Sequence, residues 1–338
     1  MTTPTPANAA ARPVVPGPVP RNLLRVGDLA PDTLAGLLDL AAAMKREPLG
    51  WTSALPGAEL GCLFEKPSTR TRVSLVAAAH RLGMRAIVLN REETQLDRGE
   101  TAVDTARVLS CYLDVLAVRT FAHAVVEEMA GAATVPVVNA LTNTHHPCQA
   151  LADLLTLREH FGELAGMTVA FVGDGRGNTC HSFLGACAAT GMNLTIASPR
   201  EYDTDQALLA EARELMAHTG GSVSLTTEPA QAVRGAHAVY TDAWVPMDKH
   251  HEQTERVARF AGFRVDDDLL AQARQDTVVL HCLPAVRGLE ITSEVLDGNR
   301  SLVWRQAANR LPTAQAVLHT LVTTAGERAG DQEPHPGL

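Results

Sequence analysis

The chain has 338 residues, 29 Lys plus Arg against 38 Asp plus Glu, and a formal net charge of −9. That length fits about two domains of roughly 100–200 residues each, and a 46% hydrophobic share supplies a sizeable core. An acidic chain lacks the basic face that displaces counterions from phosphates, so nucleic acid is excluded as a main partner, while a small anion stays open to a local Arg cluster.

Residues 1–20 are rich in Pro, Ala and Thr and read as a disordered tail. Helical spacing follows over 29–44, with Pro31 near its start, and then an apolar strand over 60–64. A helix is expected over 68–82, with Ser68 as N-cap and Gly83 as its stop. Strands over 86–89, 115–119 and 135–139 alternate with helices over 101–111 and 124–131. A long helix over 147–161 opens on Pro147.

A second unit begins with a strand over 168–173 that ends in Gly-Asp-Gly-Arg-Gly-Asn. Helices over 182–190 and 205–219 alternate with strands over 194–198, 223–226 and 238–241. Further strands are expected over 277–282 and 302–304, then a final helix over 312–325. Residues 327–338 read as a frayed end. Alternating β and α elements imply parallel sheets with helices on both faces. The expected fold is therefore α/β: two doubly wound parallel-sheet domains joined by interdomain helices, with the seam near residues 147–166.

Six Cys show no Cys-x-x-Cys pair, and a chain of this length does not need disulfide staples. Free thiols and a cytoplasmic location are expected. No apolar run approaches the ~20 residues of a membrane-spanning helix, and no charged segment precedes an apolar one as in a secretory signal. Only Lys45, Lys66 and Lys249 are Lys among the 29 basic residues, which reads as codon bias.

In open parallel sheets ligands sit beyond the C-terminal ends of strands. The loop after the first strand reads Phe-Glu-Lys-Pro-Ser-Thr-Arg-Thr-Arg-Val-Ser over 64–74. A helix N-terminus offers unpaired N–H groups to a phosphate. Ser68, Thr69 and Thr71 add hydroxyls, and Arg70 and Arg72 add planar donors. On residue types alone this fits either an anion site or a capped helix with a solvated basic turn.

The string Ser-Thr-Arg-Thr-Arg after a strand and Pro resembles the carbamoyl-phosphate loop of the aspartate/ornithine carbamoyltransferase family. Further strings follow in that family's order. Asp104-Thr105-Ala106 precedes a strand ending at Arg119, which the resemblance implies contacts carbamoyl phosphate. His146-Pro147-Cys148-Gln149 matches its His-Pro-x-Gln motif, so His146 and Gln149 are implied to face the carbamoyl group. A donor placed there stabilises charge that grows on the carbonyl oxygen. The adjacent His145 could suggest a metal, but no carboxylate or Cys stands at a recognised ligand spacing.

His281-Cys282-Leu283-Pro284 resembles the signature of the ornithine-type members, where aspartate-type members carry Pro in place of Cys. Cys282 and Leu283 are implied to serve both donor and amine. Gln306–Leu311 resembles the last site segment, with Arg310 on the carbamoyl oxygen or phosphate.

Gly173, Gly175 and Gly177 do not give the dinucleotide spacing Gly-x-Gly-x-x-Gly. The resemblance instead gives Asn178 the amino-acid end of ornithine, shared with Asp242, Pro246 and Met247. Several positions depart from the family pattern. Pro246 stands for a usual Ser, Asp248 for Gly, Gly177 for Asn, Val286 for His and Ala308 for Glu. Pro offers neither hydroxyl nor N–H to a substrate carboxylate, and Asp248 repels one unless Lys249 offsets it.

The resemblance covers about residues 21–326. It implies a carbamoyl-phosphate domain over 21–150, an ornithine domain over 151–311, and a helix over 312–326 packing back on the first domain. The implied reaction is carbamoyl phosphate plus ornithine giving citrulline plus phosphate, with no metal and no organic cofactor. Arg70, Thr71, His146, Cys282 and Arg310 are the implied catalytic group. A homotrimer is also implied, in which Gln95 reaches a neighbour's site, although the usual Ser-Pro is absent from residues 91–94. Three alternatives stay open: another amine such as putrescine or lysine, a non-catalytic binding paralogue, and a nicotinamide dehydrogenase.

Overall fold

The computed structural model describes residues 14–246 and 250–330. Met247, Asp248 and Lys249 lie outside the described residues, as do most of the expected N-terminal tail and residues 331–338.

Helix α1 (Pro31–Arg46) has Pro at its first turn and buries Leu34, Leu37, Leu38, Leu40 and Met44 on one side. Burying a Leu contributes about 1.5–3 kcal/mol. Then β1 (Glu59–Phe64), α2 (Arg70–Leu82), β2 (Arg85–Asn90), α3 (Ala102–Ser110), β3 (Val115–Arg119), α4 (His123–Ala132) and β4 (Val137–Leu141) alternate. The four strands are parallel in the order β2-β1-β3-β4. Strand β3 is buried throughout, whereas the edge strand β2 exposes Arg85 and Ile87. Helices on both faces require that difference.

Helix α5 (Pro147–Phe161) leads to the second unit. Its elements are β5 (Thr168–Val172), α6 (Asn178–Thr190), β6 (Asn193–Ala197), α7 (Gln206–Thr219), β7 (Ser222–Thr226), α8 (Pro229–Val233) and β8 (Ala238–Thr241). They continue with α9 (Gln253–Phe260), α10 (Asp267–Leu270), β9 (Val278–His281), α11 (Ser293–Leu296) and α12 (Val303–Gly330). This parallel sheet has the order β7-β6-β5-β8-β9.

Each sheet is wound outward from an inner strand and then back to its other side. The reversals fall between β1 and β3 and between β5 and β8. Crevices open at the C-terminal ends of strands at such reversals. Helices α5 and α12 bind the units together: α5 packs on α1 and α6, and α12 packs on α1, α2 and α5.

Several sequence expectations need correction. Residues 302–304 are not a strand. Ser301 makes only an isolated bridge to Val279, and Val303 already belongs to α12. That helix continues through Pro312 to Gly330 and does not begin at Pro312. Its inner face carries Gln306, Asn309, Arg310, Thr313 and Val317, all buried. Tertiary contacts along this face override the cost of an interior Pro. Ser68 is not the N-cap of α2; the helix starts at Arg70, and Thr69 caps it without a side-chain hydrogen bond. Residues 14–20 lie against α1, where the Thr33 hydroxyl donates to the Pro16 carbonyl at 3.1 Å. Gly83 does end α2, with φ +85° and no room for a Cβ beside the Thr52 carbonyl.

Among the described residues no helix is long and apolar enough to cross a membrane.

Candidate active site

The loops at the C-terminal ends of both sheets line one cavity of about 960 Å³. Its walls include Ser68, Thr69, Arg70, Thr71, Arg119, His146, Gln149, Asn178, Asp242, Pro246, Cys282, Leu283 and Arg310. Residues spread over more than 240 positions of sequence thus meet because strand ends meet.

One wall is cationic. Arg119 is the last residue of β3 and is buried, with Nε lacking a hydrogen-bond partner. Arg310 reaches across from α12: Nη1 donates to Gln149 Oε1 at 2.7 Å, and Nη2 donates to the Thr71 hydroxyl at 3.1 Å. Both contacts are neutral, so they orient the guanidinium without cancelling its charge. Burial, then Arg310 and Arg70, pushes Arg119 down to about 10. Burial also lowers Arg310, and Arg70 adds to that. Three guanidinium groups gathered on one wall, with Arg119 and Arg310 held below their ordinary range, create a strong demand for an anion.

His146 sits at the N-cap of α5, where its backbone N–H donates to the Ser182 hydroxyl at 2.6 Å. Burial, then Arg310, Arg119 and Arg70, holds the ring well below the usual imidazole range. His146 is therefore neutral at pH 7 and offers one N–H. Its Nδ1 is buried without a partner. Neither the Ser68 hydroxyl nor that of Thr69 is spent on capping α2.

The opposite wall is anionic and thiol-bearing. Asp242 follows β8, and its Oδ1 accepts from the Ala243 N–H at 2.7 Å and from the Cys282 thiol at 2.9 Å. Burial, then Asp242, pushes the Cys282 thiol far up, so it stays protonated. Asn178 opens α6 and donates through Nδ2 to the Thr142 carbonyl at 2.7 Å. Pro246 forms part of this wall, while Met247 lies outside the described residues.

Asp242, His281 and Cys282 bring ligand atoms within 4.8 Å of one another. Both His281 nitrogens are already engaged, however. Nδ1 accepts the Leu283 N–H at 2.8 Å and Nε2 meets Glu290 Oε1 at 3.3 Å. The trio works as a hydrogen-bonded loop anchor, and its protonated thiol does not suit a metal, which takes thiolate.

Two expected residues stand outside the cavity. Arg72 is exposed and turned away. At 3.6 residues per turn, positions two apart diverge by about 200°, so Arg70 and Arg72 cannot both face inward. Gln95 lies exposed on a short turn, Gln95–Arg98, away from the cavity of its own chain.

Other site residues escaped the sequence reading. Glu290 and His281 are fully buried, and Glu290 Oε1 also accepts the Val286 N–H. This pair holds the loop bearing Cys282 and Leu283, whose φ is +58°. Arg256 on α9 is buried; it bonds Asp174 in the β5–α6 turn and donates to the Trp244 carbonyl at 2.5 Å. It thereby fastens the segment after Asp242 to the second sheet. No local signal marks Glu290 or Arg256, because their partners are remote or loop-borne. Gly175 packs in the same turn, where a Cβ would stand 2.6 Å from the Tyr202 carbonyl. The glycine-rich string is thus explained by packing.

Family models decide what this arrangement belongs to. Residues 21–159 match the carbamoyl-P binding domain of aspartate/ornithine carbamoyltransferases, and residues 165–321 match their Asp/Orn binding domain. The chain belongs to the aspartate/ornithine carbamoyltransferase family. Within this family it is 48% identical over 308 residues to the ornithine carbamoyltransferase of Acidothermus cellulolyticus, covering 91% of this chain and 98% of that one. It is 46% identical over 301 residues to that of Gloeobacter violaceus, covering 89% and 95%. The solved ornithine carbamoyltransferase of Pyrococcus furiosus superposes with a TM-score of 0.86 at 42% identity, covering 90% and 97%. That of Thermus thermophilus gives 0.82 at 43%, covering 90% and 100%.

Proposed function

We propose that the protein transfers the carbamoyl group of carbamoyl phosphate to the terminal amine of L-ornithine, giving L-citrulline and phosphate. The observation that carries this reading is the cationic wall of Arg70, Arg119 and Arg310 facing Asp242 and Cys282 across one cavity. The first unit binds carbamoyl phosphate and the second binds the amino acid.

In this reading Ser68, Thr69, Arg70 and Arg119 hold the phosphate at the start of α2. Arg310, neutral His146 and the Thr71 hydroxyl surround the carbamoyl oxygen. The Thr71 oxygen accepts from Arg310, which leaves its own proton for the substrate. The neutral amine attacks the carbonyl carbon, the C–N bond forms, and the oxygen becomes an oxyanion among these donors. The C–O bond to phosphate then breaks. The departing phosphate is the strongest base beside the amine and takes its proton. Asp242 attracts the α-ammonium of ornithine, with Asn178 at the same end, while Cys282 and the Leu283 carbonyl sit beside the attacking amine. Orienting both reactants removes entropy from a bimolecular step, worth about 7–11 kcal/mol in well-aligned cases.

A homotrimer belongs to this reading, with Gln95 of one subunit completing a neighbour's donor wall. Its exposed position outside its own cavity supports that role.

Pro246 in the amine wall favours one further reading, the same transfer to a different diamine. Carbamoyl phosphate tested against ornithine, lysine and putrescine separates the two. Ornithine should give the highest kcat/KM; a better amine assigns the second reading, and no ureido product from any amine removes both.

A further inference from the structure

We propose that Asp153 is a positioning residue that orients the two half-sites together through one buried hydrogen-bond hub. It touches neither substrate, and the proposal rests on the carbamoyl-transfer reading above.

Asp153 lies on α5 and is buried. Its Oδ1 accepts from Gln149 Nε2 at 2.8 Å and from Gln306 Nε2 at 2.7 Å. Its Oδ2 accepts from the Tyr240 hydroxyl at 2.9 Å. An ionised carboxylate accepts only. Both Gln amides must therefore turn their NH₂ ends toward it and their carbonyls away. The Gln149 carbonyl then receives Arg310 Nη1 at 2.7 Å. The Gln306 carbonyl receives the His281 backbone N–H at 2.9 Å. One branch thus fixes the guanidinium that faces the carbamoyl oxygen. The other fixes the end of β9 just before Cys282. Tyr240, the third partner, lies two residues before Asp242.

The orientation of both amides follows from one acceptor, Asp153 Oδ1. A proton on Oδ2 meets only the Tyr240 hydroxyl, which can turn to accept it, and leaves Oδ1 accepting from both amides. Burial pushes Asp153 up to about 6, against the pull of its three hydrogen bonds. The titratable and charged groups facing it are Arg310 on α12, Tyr240 on β8, Cys282 after β9 and Cys187 on α6. Tyr240 and both thiols are pushed up and stay neutral. The carboxyl of Asp153, raised to about 6, therefore keeps both amides in place through Oδ1 in either protonation state.

Asp153→Ala and Asp153→Asn test this with kcat and KM for both substrates. Asn can accept from both Gln amides through Oδ1 and donate to Tyr240 through Nδ2. Folded Asp153→Ala protein should lose about 100-fold in kcat, the scale of an ångström misplacement. Asn should restore most of that loss. A folded Ala variant with wild-type kcat, or an Asn variant no better than Ala, overturns the proposal. If the Ala variant does not fold, the Asn variant decides: a kcat near wild type upholds the hub, and a loss of about 100-fold overturns the proposal. Wild-type protein that forms no ureido product would instead remove the functional reading itself.

Discussion

The Arg310 guanidinium on α12 donates to the Thr71 hydroxyl on α2 across 3.1 Å and 239 positions of sequence. The last helix of the chain therefore completes a donor wall begun by the second. Its other fork nitrogen is held by Gln149, so two fixed acceptors define the plane of the guanidinium.

Replacing Arg310 by Lys keeps a charge but not the fork, since an ammonium cannot meet Gln149 and Thr71 in that plane. Loss of a preplaced donor to an oxyanion costs roughly 10²–10³ in rate. Arg310→Lys should lower kcat by about that factor while the protein stays folded. Steady-state kinetics at saturating ornithine would check it, and a kcat within a few-fold of wild type would remove Arg310 from the transition state.

The thiols should differ sharply in reactivity. Cys282 stays protonated because burial and the Asp242 carboxylate both push it up, and alkylation requires the thiolate. Cys111 is exposed. Iodoacetamide at pH 7.5 should label Cys111 first and leave Cys282 unmodified in the folded protein. Peptide mass spectrometry would read this, with early labelling of Cys282 as the contrary result.

A row of histidines beside the interdomain seam should set part of the acid stability. His123 and His145 rings meet at 4.9 Å, and His145 and His181 at 6.3 Å. Burial, then His123 and His181, pushes His145 down to about 3. The unfolded chain, with an ordinary His value near 6.5, binds the proton first. His145 therefore contributes stability that is complete above about pH 6.5 and falls as pH drops toward 3. Asp153, raised to about 6, acts in the opposite direction below that pH. His145→Phe should flatten the decline of Tm between pH 6.5 and 4 relative to wild type. Parallel curves in calorimetry would contradict this.

Among the departures from the family pattern, Gly177, Pro246 and Val286 line the cavity. Pro246 has no N–H and no hydroxyl to offer a carboxylate, and Asp248 adds a negative charge to the same segment. If these positions set specificity, Pro246→Ser with Asp248→Gly should lower the KM for ornithine and leave that for carbamoyl phosphate unchanged. Equal kinetics in the double variant would mark both as neutral changes.

The lining of the cavity was legible where it is written in short strings. Ser68–Thr71, His146–Gln149 and Cys282–Leu283 each lie together because one strand end or helix start presents them. Strands 115–119 and 238–241 and helix 147–161 were read at their observed bounds, since apolar runs and a leading Pro mark them. The supports were not legible. Asp153 meets Tyr240 across 87 positions and Gln306 across 153. The start of α12 was misread because its inner face is polar: buried Gln306, Asn309, Arg310 and Thr313 give no hydrophobic period. Leu302, Val303 and Trp304 then looked like a strand. Arg72 was misplaced because string resemblance carries no information on which side of a helix turn a residue faces.

The central claim is a direct transfer between two bound substrates. Purified protein given carbamoyl phosphate labelled with ¹³C at the carbonyl, plus ornithine, should form citrulline labelled at its ureido carbon, with one phosphate released per citrulline. Phosphate release without labelled citrulline, or no turnover of carbamoyl phosphate at all, would contradict the account.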